Sequence, residues 1–118
     1  MVEEDFRALV DALKRNSKVS FFAILKMDDF TDKWSLLFSG PRLSDTDKKK
    51  ELFEEIIPLI YGAERLERED VARIGILPLT NHLVKVIRER PVGSSLRNER
   101  ANGNFIHEGH VLINRAGT

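Results

Sequence analysis

The side chains with the type and setting for chemistry are the three histidines and one arginine. His107, Glu108 and His110 crowd into the segment His-Glu-Gly-His, His82 stands apart, and Arg42 follows the break Ser39-Gly40-Pro41. A zincin pairs two histidines four apart on a helix so that both reach one zinc ion. Here His107 and His110 are three apart, and the surrounding pattern is strand and turn. Strand positions three apart point to opposite faces, so only a turn at Gly109 would bring the two rings together. A third ligand would then come from His82 or a carboxylate. This pattern does not define a metal site, and no cofactor is expected from it.

Arg42 sits where a strand hands over to a helix. Free N–H groups and the helix dipole make such junctions attractive to anions. Neither a Gly-Lys-Ser/Thr loop nor a Gly-x-Gly-x-x-Gly loop is present, and an ordinary strand-to-helix connection accounts for the same residues. Asp28, Asp29 and Asp32 could collect a divalent cation, but their spacing is not that of an EF-hand loop. None of the serines lies in Gly-x-Ser-x-Gly. Four arginines, Arg88, Arg90, Arg97 and Arg100, fall in one short span. They lack interleaved aromatic residues and are diluted by Glu89 and Glu99, which disfavours nucleic acid as a partner.

The elements that must position these residues follow from hydrophobic periodicity. Phe6, Leu9, Val10 and Leu13 share a helical face and predict a helix over 3–15. Its acidic first turn and basic last turn complement the helix dipole. Residues 19–27 and 34–39 alternate as strands, joined by an acidic loop at 28–33. Both faces of the first are apolar: Phe21, Ala23 and Leu25 on one, Phe22 and Ile24 on the other. Ser44 and Asp47 suggest a capping box for a helix over 45–61, with Leu52, Phe53, Ile56, Ile57 and Ile60 inward. Pro58 should kink or restart that helix. The charged stretch 63–70 suits a short helical turn.

Residues 72–79 are apolar on both faces and predict a third strand, placed centrally in the sheet and ending at Pro78. Thr80-Asn81 can cap a short helix over 82–90, for which a strand is the alternative. Asn102-Gly103 is a hairpin signal. It predicts strands over 92–97 and 105–106 around a turn at 98–103, a break at Gly109, and a last strand over 111–114.

The 118 residues are expected to form one domain, 1–118, long enough for a real core. Apolar residues make up 42% and charged residues 32%, with a net charge of zero. That balance does not favour a general nucleic-acid binder or a membrane-surface protein. No apolar run approaches the length of a membrane span, and the acidic N-terminal segment does not resemble a secretory signal. The absence of cysteine excludes disulfides and thiolate chemistry and fits a reducing cytoplasm.

The expected fold is α+β, with a single mixed or mainly antiparallel sheet of about five strands and two main helices packed on it. The order is α-β-β-α-β-(α)-β-β, with a right-handed crossover from the second strand to the third. The leading functional expectation is a non-catalytic domain that acts through protein–protein contact or self-association, a homodimer included. The alternative is a small-ligand or metal-dependent enzyme with a site around Arg42, His82, His107, Glu108 and His110. Nucleic-acid contact through the C-terminal arginines comes third.

Overall fold

The computed structural model describes residues 6–15, 18–28, 32–61 and 70–115. Among these, the elements run α1 (Arg7–Lys14), β1 (Phe21–Met27), β2 (Trp34–Gly40), α2 (Thr46–Tyr61), β3 (Val71–Pro78), α3 (His82–Ile87), β4 (Ser95–Ala101) and β5 (Asn104–Asn114). The strands form one five-stranded sheet in the order β3-β2-β1-β5-β4. β2 and β3 are parallel, and the other neighbours are antiparallel. The sheet is therefore mixed, and the α+β order expected from the sequence is the order observed.

The two apolar faces of β1 nucleate two cores. Phe22 and Ile24 face one way and lie opposite Phe38 and Leu36 of β2. The rings of Phe22 and Phe38 stack with centroids 4.5 Å apart and planes 4° from parallel. Over this face lie α1, through Leu9 and Leu13 with Phe6 just before it, and α2, through Leu52, Ile56 and Ile60. Phe21, Ala23 and Leu25 face the other way. They are covered by Leu83, Val84 and Ile87 of α3 and by Leu96, Ile106 and Val111 of β4 and β5. Every residue from Phe21 to Leu25 is fully buried, as a strand paired on both edges and covered on both faces must be.

Several local expectations are corrected. The cap of α2 is Asp45, not Ser44. Its Oδ1 accepts the backbone N–H groups of Asp47 (2.8 Å) and Lys48 (3.3 Å). α2 does not restart at Pro58 but continues to Tyr61 as one element. β3 is an edge strand and not a central one, because its only partner among the described residues is β2. Apolar side chains on both faces report the layers above and below a strand and carry no information about its place in the sheet. Gly109 does not break the last strand, which runs uninterrupted from Asn104 to Asn114. A side chain there would place its Cβ 2.7 Å from Leu25 Cδ2, so glycine marks a close approach across the second core.

Other expectations stand. Residues 82–87 are helical, capped by Asn81, whose side chain accepts from Leu83 and Val84. Asn102 (φ 48°) and Gly103 (φ 82°) turn the β4–β5 hairpin with the positive φ pair such a turn demands. Gly40 is needed for proximity, since a Cβ there would meet the Lys18 carbonyl oxygen at 1.8 Å. The stretch 63–69, the first acidic turn of the N-terminal helix and Asp29 lie outside the described residues.

Candidate functional site

The residues singled out by type do not converge. β5 carries two extra residues opposite β1, and at the second Met27 pairs with Ile106 and Lys26 with Glu108, which leaves His107 as the bulge. His107 Nε2–H donates to the Asp28 carbonyl (2.9 Å), and its ring meets the Phe105 ring at 4.8 Å. Asp28 is bound to the same strand, its Oδ1 accepting Phe105 N–H at 3.0 Å. His107 and Asp28 thus tie the end of the β1–β2 hairpin to β5. His82 opens α3 on the opposite face of the sheet from α1 and α2. No group of three or more metal-ligating side chains gathers among the described residues.

His110 and Glu108 do meet. His110 Nε2–H donates to Glu108 Oε2 at 2.8 Å, and Ser95 Oγ stands 3.4 Å from His110 Nδ1. The His110 ring packs against Trp34 at 5.9 Å, and Lys26 Nζ lies 4.6 Å from the centre of the Trp34 ring. The hydrogen bond from His110 holds the Glu108 carboxyl below the usual carboxylate range, with Lys26 and Arg97 adding to it and partial burial opposing it. The connectivity serine–histidine–carboxylate resembles a catalytic triad in bonding alone. A triad acts on a substrate held in a cleft, and none of the four cavities described below is lined by Ser95, Glu108 or His110.

Arg42 lines a cavity of about 330 Å³ with Lys18, Pro41 and Lys48. Two of its three cations are held in ion pairs with carboxylates of α2. Lys18 Nζ is 2.8 Å from Glu55 and 3.5 Å from Glu51, and Lys48 Nζ is 3.5 Å from Glu51. The Asp45 carboxylate already occupies the N–H groups at the start of α2. Two of the C-terminal arginines are likewise engaged. Arg90 grips Glu99 with both terminal nitrogens (2.6 and 3.5 Å), and Arg100 sits 5.7 Å from the centre of the Phe105 ring.

Two neighbouring hollows run between α1 and the start of the C-terminal hairpin, sharing Lys14, Val92 and Leu112. The fourth cavity, about 290 Å³, lies on the α3 face of the sheet. Its polar lining comes from Ser35, Arg73, Asn81, Asn102 and Asn104. Ser35 is 2% exposed, and its hydroxyl has no hydrogen-bond partner. Ser39, further along the same face of β2, donates to the Leu77 carbonyl at 2.6 Å. Nothing in the types of these residues marked them beforehand. The one available signal was Ser35 on a strand face shared with Leu37, a hydroxyl where burial was to be expected.

The two edges of the sheet differ in kind. β4 carries Arg97, Asn98, Glu99 and Arg100, with Asn98 at φ 50° breaking its regularity. β3 reads Val-Ala-Arg-Ile-Gly-Ile-Leu-Pro, with Arg73 its only charge. Ile74 and Ile76 pack on the first core and Leu77 on the second. Compared with models of known protein families, with curated proteins and with solved structures, the chain matches none.

Proposed function

We propose that this protein acts through protein–protein contact, and that the contact is self-association by antiparallel pairing of β3 with β3 of a second copy. The observation that carries this reading is the contrast between the two sheet edges. An exposed edge offers a row of N–H and C=O groups to any strand that can lie beside it, and proteins that stay single blunt their edges with charge, irregular backbone or cover. β4 has charge and an irregular residue. β3 has one charge in eight residues, and no described strand lies on its outer side. A bulge at Ala72, where Trp34 pairs with Val71 and Ser35 with Arg73, blunts only its beginning. Pairing about a two-fold axis is self-complementary and would join two five-stranded sheets into one. The engaged His107 and His110, the ion pairs of Lys18 and Lys48 beside Arg42, and the internal pairing of Arg90 leave the ligand and nucleic-acid readings with less support at those residues. We place this action in the cytoplasm, consistent with a chain that has no cysteine. Among the described residues no helix is long and apolar enough to cross a membrane.

Sedimentation over a range of concentrations tests the proposal. The expected species is twice 13.5 kDa at high concentration, dissociating on dilution. Ile74→Lys places on the edge the residue that natural edges use against pairing, and it should leave a monomer that still unfolds cooperatively. In the unmodified protein, β3 amides should gain protection from hydrogen exchange as concentration rises. A monomer at every concentration, with β3 exchange indifferent to concentration, rules the reading out.

A further inference from the structure

We propose that the outer flank of α2, with Phe53 and Ile57, is a second layer of the β3 interface and packs against the same flank of a second copy. This rests on the edge-pairing reading and adds to it a surface that strand pairing alone does not use.

The direction of that flank follows from its neighbours. Leu52, Ile56 and Ile60 of α2 enter the first core. Glu51 and Glu55 lie on one side of this buried stripe and reach Lys18, just before β1. At about 100° per residue, Phe53 and Ile57 fall on the other side. α2 is the crossover between the parallel neighbours β2 and β3, and such a crossover packs back over its own pair of strands. β1 lies on the far side of β2 from β3, so the flank that turns from Lys18 turns toward the open edge. Phe53 is 43% exposed there, and Ile57 is half-buried. On the same face of the sheet, Ile74 and Ile76 of β3 are half-buried as well. Helix flank and strand thus show apolar side chains along one edge, where a helix facing only solvent would be polar.

The geometry of the edge brings two such flanks together. Antiparallel pairing of β3 with its copy runs about a two-fold axis normal to the sheet, so both α2 helices come to lie on one face. Each helix, over its own β2–β3 pair, is then two strand spacings from the other, about 9–10 Å. Helices in direct contact pack about 8–10 Å apart. α2 also runs the length of β3. Its sixteen residues span about 24 Å, and the eight residues of β3 span about 26 Å. Phe53 is the eighth of the sixteen and Ile74 the fourth of the eight. An axis through the middle of β3 therefore passes between the two Phe53 side chains. Phenylalanine is among the side chains that the buried centre of an interface favours.

Two matched truncations on α2 test this in the full chain. Phe53→Ala shortens an exposed side chain on the outer flank, and Leu59→Ala shortens one, 38% exposed, on the Glu55 side. In sedimentation over a range of concentrations, Phe53→Ala should raise the Kd of the dimer about a hundredfold, tenfold for each copy of the side chain. Leu59→Ala should leave it unchanged, and both variants should unfold cooperatively. The chain has no cysteine, so a single thiol reports the seam directly. Phe53→Cys should give a disulfide-linked dimer under mild oxidation, which needs Cα atoms within about 7 Å, and Leu59→Cys should not. A dimer whose Kd is the same with Phe53→Ala, and which forms no disulfide through Phe53→Cys, overturns this inference and leaves strand pairing standing. A protein that is a monomer at every concentration overturns both.

Discussion

At the scale of the residue, the sharpest local electrostatics belong to Glu108. It accepts from His110 Nε2 at 2.8 Å and lies between Lys26 on β1 and Arg97 on β4. The native protein therefore holds this carboxyl ionised to lower pH than the unfolded chain does, where the ordinary value is near 4.5. Below that value the unfolded chain binds the proton first. Stability contributed by Glu108 is complete above about 4.5 and is lost as pH falls through the lowered native value. Glu108→Gln removes the group that takes up that proton. Urea unfolding midpoints measured through the acid range should fall less steeply for Glu108→Gln than for the unmodified protein. Superimposable acid limbs would show that the His110–Glu108 bond contributes nothing to folding. The same bond explains why two histidines three apart do not form a site. The bulge at His107 sends one ring to the Asp28 carbonyl, while His110 is fixed by Glu108.

At the scale of the element, α3 shows how little chain can close a face. It has six residues, of which Leu83, Val84 and Ile87 are buried. A helix this short has no independent stability and is held at its ends. Asn81 caps the start, and Asn114 Nδ2 donates to the carbonyls of Arg88 and Arg90 (2.7 Å each) just past the finish. Asn81→Ala should cost about 1 kcal/mol. In α2, sixteen residues long, the matching Asp45→Ala should cost no more. Thermal unfolding of the two variants compares them, and a larger loss for Asp45→Ala would show that α3 does not depend on its cap.

The elements were legible in the sequence where the signal is local. Phe6, Leu9 and Leu13 recur at helical spacing, Phe21 to Leu25 alternate into two faces, and Asn102-Gly103 names its own turn. Three features were not legible because they depend on distant partners. β3 looks central from its side chains but lies at an edge. Gly109 looks like a break but makes room for Leu25. Ser35 looks ordinary until Arg73 and Asn102 are brought beside it.

At the scale of the whole molecule, the sheet separates two cores of unequal depth. The first is roofed by α1, with Phe6 just before it, and by α2, and together these bring six fully buried side chains from Phe6 to Ile60. The second depends on α3 and on side chains of β4 and β5. β1 belongs to both, because its alternate residues enter opposite cores and both its edges are paired. Breaking the β1 ladder exposes both cores at once, so its amides can exchange with solvent only through global unfolding. α3 can lift away by exposing three side chains, a smaller event of lower free energy. Native-state hydrogen exchange in low urea should show β1 amides with the full denaturant dependence of unfolding and α3 amides with a shallow one. Equal protection of α3 and β1 would mean that the two cores form one cooperative unit and that the thinner face is not the one that opens.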